Sequence, residues 1–133
     1  MKNGKWIKKA YEALNKEENS IFIEKGISIP ASYNGQIAAL GVTIALSGLL
    51  PALAIYYQTP GKTTKCDKRK ILELIASMLD QPQKFESAKE LFRFAISPKN
   101  EKYLKGLQRD IIACSVALKQ VVRTYELIDD GNE

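Results

Sequence analysis

Between Lys25 and Lys62 the chain carries no charged side chain, although 26% of its 133 residues are Asp, Glu, Lys or Arg. Inside that span lies SYNGQIAALGVTIALSGLLPALAIYY, residues 32–57, almost entirely Ala, Leu, Ile, Val and Gly from Ile37 onward. The apolar positions keep to no single face. A helix that is hydrophobic all round is either buried in a protein core or spans a membrane. Taken as one helix, Ile37–Tyr57 is long enough to cross a hydrocarbon layer of about 30 Å, and Gly41, Ser47 and Gly48 are small residues at which membrane helices pack closely. Ser47-Gly48 and Pro51 interrupt that reading. Ser47 can cap a new helix, and proline is tolerated in a first turn but disruptive deeper in. The stretch therefore divides into two helices, about 33–46 and 48–58, each too short to span. The expectation is a buried helix pair with Leu46 and Leu53 in the core. A small membrane-associated protein anchored by residues 37–57 is the alternative.

The rest of the chain supplies amphipathic segments for that pair to pack against. At 133 residues and 45% hydrophobic, it suits one all-α domain, a compact bundle of five to six helices over residues 5–128 with a disordered tail at 129–133. Residues 5–18 read as a helix with Trp6, Ile7, Ala10, Tyr11 and Leu14 inward, before a polar loop at Asn15–Ser20. IFIEKGISIP reads as an extended, partly buried connector, since a lone strand has nothing to pair with. Asp67 is an N-cap for a helix that buries Ile71, Leu72, Leu74, Ile75, Met78 and Leu79 and ends by Gln81-Pro82. A shorter helix over 84–96 turns Phe85, Ala88, Leu91, Phe92 and Ala95 inward. Ser97-Pro98 is a helix start, and one long final helix should run from there to Ile128.

Much catalytic chemistry is missing. The chain has no histidine, which removes the commonest acid–base group and metal ligand. Cys66 and Cys114 lack metal-site spacing and suit small buried hydrophobes in a reducing cytoplasm. Gly61-Lys62-Thr63 resembles the end of a phosphate-binding loop, but the first glycine of that pattern falls on Tyr56 and a helix precedes it. No catalytic residue, metal site, cofactor or small-molecule substrate is implied. The N-terminus has no secretory h-region.

The formal charge of +5 permits an anionic partner. At about 100° per residue, Lys102, Lys105, Arg109, Lys119 and Arg123 share roughly a third of the final helix's circumference. Leu104, Leu107, Ile111, Leu118, Val122 and Tyr125 fall opposite. Such a stripe suits a polyanion whose charges repeat along a line, although a solvated helix face is usually charged as well. Ile112 and Val116 interrupt it and point to a protein contact. Lys62, Lys65, Lys68, Arg69 and Lys70 form a second basic cluster, and Lys5, Lys8 and Lys9 a weaker third. Tyr33, Tyr56, Tyr57 and Tyr103 read as core or core-edge groups, so contact with a phosphate backbone fits better than base stacking.

The order of these pieces resembles the small subunit of the type III-B CRISPR (Cmr) RNA-silencing complex. Tyr33 opens a helix of small apolar residues, Ser47-Gly48-Leu49-Leu50 breaks it, and Ala52-Leu53-Ala54-Ile55-Tyr56 follows. In the final helix, Tyr103, Arg109-Asp110 and Lys119 to Arg123 with Tyr125 match as well. The likeness covers residues 30–127, and the small subunit of type III-A complexes is the related alternative. The resemblance implies a non-catalytic, all-helical, cytoplasmic protein of antiviral defence. Several copies would stack along larger crRNA-binding subunits, beside target RNA, with crRNA as a second candidate strand, away from any membrane. A helical adaptor that binds only protein is the other non-enzymatic reading.

Overall fold

A computed structural model describes residues 2–16, 21–58 and 66–129. Within them, in chain order, are α1 (Lys2–Leu14), β1 (Ser28–Pro30), α2 (Ala31–Ser47), α3 (Leu49–Tyr57), α4 (Lys68–Met78) and α5 (Ala88–Ile96). A 3-10 helix (Pro98–Tyr103), α6 (Leu104–Val122) and β2 (Glu126–Ile128) complete them. The long α6 packs between α1 and α2, while α4 reaches α1, α2, α3, α5 and α6. No helix among the described residues is long and apolar enough to cross a membrane.

The charge-free stretch is indeed two helices, and Gly48 makes the break. Its backbone sits at φ 91°, ψ 166°, a region open essentially to glycine alone. Gly48, not Ser47, is the residue shared by the two helix ends, and no side chain caps α3. Pro51 lies in the first turn of α3, where a missing N–H costs no internal hydrogen bond. The two helices then lean together: the Tyr56 hydroxyl donates to the Gln36 carbonyl at 2.7 Å. Burial, with a smaller contribution from Cys66, pushes that phenol up to about 12, against the opposing effect of a hydrogen bond with Thr43.

An inward expectation fails in this stretch. Leu53 is fully buried, but Leu46 is 82% exposed. Ile37, Leu40 and Ile44 take the inner side of α2, which leaves Gly35, Ala38, Val42 and Leu46 outward on a face without charge. A helix apolar all round has no phase of its own. Here contact with α3, α4 and α6 sets it.

Helix ends elsewhere follow side-chain chemistry. Asp67 caps α4 as expected, its carboxylate accepting from the Arg69 N–H at 3.0 Å, and all six expected core residues of that segment are buried. The next helix begins at Ala88 rather than 84, because Ser87 Oγ accepts from the Glu90 N–H and the Glu90 carboxylate accepts from the Glu86 N–H. Ser87 is thus the N-cap, and Glu90 reaches back one residue further, to the Glu86 N–H rather than that of Ser87, to hold the chain entering the helix. The first helix stops at Leu14, and residues 17–20 lie outside the described residues, as do 130–133 of the tail. Tyr11 is exposed rather than inward, and Ala13 is buried in addition to Ala10 and Leu14.

The long final helix is also shorter than expected. Residues 98–103 form a 3-10 helix, and the Thr124 hydroxyl donates to the Val121 carbonyl at 2.7 Å where α6 ends. Beyond it, β2 pairs in parallel with β1, with Ser28 opposite Glu126 and Pro30 opposite Ile128. The connector thus does have a partner. Tyr125 reinforces the junction edge-on to Phe22, ring centroids 5.0 Å apart.

Lys9 is not a free surface cation. Its ammonium donates to the Met78 carbonyl at the end of α4 (3.2 Å) and to the Asp80 carboxylate (2.5 Å). The Lys9 hydrogen bond holds the Asp80 carboxyl below its usual range; partial burial opposes this, and the charges of Lys9, Lys5 and Lys84 add to it. A depressed carboxyl pKa stabilises the fold above the free carboxyl's value of 3.8, and the contribution is lost as pH falls through the folded value. Asp80→Asn should therefore melt lower than wild type at pH 6. The two melting curves should converge as the pH drops below about 4, and a gap that stays constant from pH 6 to pH 3 would show that the pair contributes nothing.

Candidate nucleic-acid interface

The residues of the basic stripe fall in two groups, one at each end of α6. Lys102 lies in the last turn of the 3-10 helix, and Lys105 and Arg109 occupy the first turns of α6; all three are exposed. Lys119, half-buried, lies in the last turn, and Arg123 is exposed just past the helix end. Ten helical steps separate Arg109 from Lys119, about 15 Å along the axis. The outward positions between them are apolar. Val116 is 46% exposed, whereas Ile112 is half-buried and packs against the core. Of the two candidate protein contacts, Val116 is thus the one that faces outward.

Acidic residues flank the stripe: Glu101 and Glu126 are exposed, and Asp110 is half-buried beside Arg109. The Arg109 side chain is 79% exposed, and its Nε stands 3.6 Å from the Asp110 carboxylate, beyond hydrogen-bond distance. An exposed pair of that kind holds its cation weakly. The Lys102 ammonium lies 5.3 Å from the centroid of the Tyr103 ring.

The second basic cluster resolves differently. Lys62 and Lys65 lie outside the described residues, as does the Gly61-Lys62-Thr63 run. Lys68 stands half-buried in the first turn of α4, its ammonium 5.4 Å from the Tyr56 ring. Arg69 turns inward. Its Nε and Nη2 donate to the Tyr57 carbonyl at 3.0 and 2.6 Å, at the end of α3 where that oxygen has no helical partner. The guanidinium lies 4.3 Å over the Tyr57 ring, which stacks in turn on Phe92 at 5.1 Å. Arg69 thus ties α3, α4 and α5 together.

Sequence reasoning missed a pocket of about 280 Å³ beside the first group of cations, where the turn at Gln81-Pro82 meets the start of α6. Lys102, Tyr103, Gly106 and Arg109 line it, and Tyr103 is 39% exposed. Only the succession of an aromatic, a small residue and cations in KYLKGLQRD could have signalled it. Among the described residues no three His, Cys, Asp or Glu side chains gather to hold a metal ion. Cys66 and Cys114 are buried and form no disulfide, and burial pushes the Cys114 thiol well above its ordinary range.

Comparison with known proteins adds two findings. The family model of the CRISPR-associated protein Cas_Cmr5 matches residues 2–125. The X-ray crystal structure of a CRISPR-associated Cmr5 family protein from Thermus thermophilus superposes with a TM-score of 0.66 at 21% identity, covering 93% of this chain and 96% of that one. No curated protein sequence matches the chain.

Proposed function

The chain belongs to the Cas_Cmr5 family, small subunits of the type III-B CRISPR complex of antiviral defence, and from that premise we propose that it is a non-catalytic, RNA-facing filler of that assembly. As a single helical domain, several copies stack in the cytoplasm along the larger crRNA-binding subunits. The basic edge contacts target RNA through phosphates, with crRNA as the second candidate strand. The observation that carries this reading is the exposed row of Lys102, Lys105 and Arg109, continued by Arg123, along one rigid helix edge. Cations held on a straight scaffold meet a repeating line of charge without having to be ordered first. Lys119 and Lys68, both half-buried, are secondary contacts, and Arg69 takes part only through its hold on α3. The uncharged outer face of α2, with Val42 and Leu46, and Val116 on α6 suit neighbouring protein.

A triple change of Lys105, Arg109 and Arg123 to Gln tests the RNA contact. On a single strand, removing one cation from its phosphate lowers the slope of log K against log salt by about 0.7, so all three together should flatten it by about two units. Retention of target RNA by the assembled complex should fall alike for every sequence, with fold and incorporation unchanged. A protein-only adaptor predicts the reverse, weaker assembly with an unaltered slope. Identical slopes and affinities for wild type and variant would leave the helix edge merely solvated.

A further inference from the structure

We propose that the pocket between the Gln81-Pro82 turn and the start of α6 seats one unpaired base of an RNA strand. Tyr103 is its stacking platform, and Lys102 and Arg109 hold the flanking phosphates. The inference rests on the RNA-facing reading and adds to it a mode of binding that phosphate contact alone does not contain.

The platform is built and fixed. Tyr103 is partly exposed, and its ring is backed by Phe94 at 5.8 Å, whose own ring meets Phe85 edge-on at 5.3 Å; the Lys102 ammonium, 5.3 Å over the Tyr103 ring, moves from it to a phosphate when a base enters. An aromatic face held in place in this way stacks a base without first losing rotamer freedom. The volume of about 280 Å³ leaves room for a nucleobase. Both charged groups that would grip the backbone line the same opening, so a base entering it brings its own phosphates to them.

Gly106 keeps the space open. A glycine inside a helix costs about 1 kcal/mol relative to alanine, and nothing in the packing demands one here. A Cβ at this position would meet only the Arg109 Nη2, at 3.6 Å, which is ordinary contact. What a side chain there would do is fill the pocket. Asp110, at the rim, has a carboxylate beyond hydrogen-bond distance of the Arg109 Nε, and a carboxylate has several acceptor sites. It can accept from a base N–H, whether an exocyclic amine or a ring imino group, and so can help hold a base without selecting which one.

The test uses the assembled complex bearing wild-type subunit, Tyr103→Leu or Gly106→Leu. The probe is target RNA with photoreactive 5-iodocytidine placed at each position in turn. We expect a crosslink mapping to Tyr103 in wild type and its loss in both variants. RNA retention should weaken about ten-fold in each, with a salt slope that falls by less than the about two units expected of the triple Gln variant. The Gly106 variant leaves the Tyr103–Phe94 packing intact, so it reads occupancy of the pocket even if the Tyr103 variant folds poorly. Crosslinks confined to the neighbourhood of Lys119 and Arg123, or full retention in both variants, would overturn the pocket while leaving the RNA-facing edge standing. Absence of any crosslink to the subunit, together with an unaltered slope in the triple Gln variant, would remove both.

Discussion

Leu53→Ala is expected to destabilise the fold by about 2–5 kcal/mol, the cost of deleting a fully buried leucine and leaving a cavity. Leu53 is completely shielded from solvent, and α3 on which it sits is pressed against α2, α4 and α5, so the void has little room to close. Against a total stability of about 5–15 kcal/mol for an ordinary domain, that loss should move a urea midpoint far to the left. Leu46→Ala, only seven positions earlier in the same apolar run, should change the stability by less than about 0.5 kcal/mol, because its side chain is 82% exposed. The contrast is the sharper measurement. Equal midpoints for the two variants would mean that the helix pair does not face as described.

Gly48→Ala should destabilise by about 1–3 kcal/mol, the range for forcing a side chain into a backbone region that glycine alone occupies readily. Crowding is not the reason. A Cβ at position 48 would meet nothing closer than the Pro51 Cδ at 3.8 Å, so Gly48→Leu should cost much the same as Gly48→Ala. The origin is the positive φ of 91° needed to redirect the chain between α2 and α3. In an ordinary helix interior the same Gly→Ala change stabilises by about 1 kcal/mol. A rise in melting temperature would therefore signal one continuous helix through residues 44–52.

Much of this architecture was legible in the residues, and the gaps have physical causes. Asp67 before a run with a clear apolar phase specified α4 and its cap, because both signals are local. The break near Ser47-Gly48 was readable too, but which side of α2 faces inward was not. An uncharged helix offers no contrast, so Leu46 and Ile44 look alike until their neighbours are present. The pairing of Ser28–Pro30 with Glu126–Ile128 was invisible for another reason: two three-residue strands far apart in sequence carry no period. The capping pattern Ser87-x-x-Glu90 was there to be used and would have set the start of α5.

The candidate interface divides in the same way. Helical phase alone brought out Lys105 and Arg109, which are exposed as their angular positions imply. Phase could not tell that Arg69 has its donors on a carbonyl of another helix. Nor could it place the turn at Gln81-Pro82 against Tyr103, where a residue read as core-edge lines an opening instead. Exposure follows local pattern, whereas the use of an exposed or half-exposed group depends on what the tertiary fold sets beside it.

The parallel pairing of β1 with β2 also imposes an order of events on the molecule. Segments close in sequence can find each other early, whereas joining distant ones must wait until the loss of chain entropy is offset by packing already in place. Here Ser28–Pro30, directly ahead of α2, waits for Glu126–Ile128, the last described element to be synthesised. A ribosome still elongating α6 therefore carries a chain whose helix pair can already be forming while its seam is open. The strand pair, like the docking of α1 on α6, closes only once the C-terminal third of the chain is available, so the first and last described elements are joined late together.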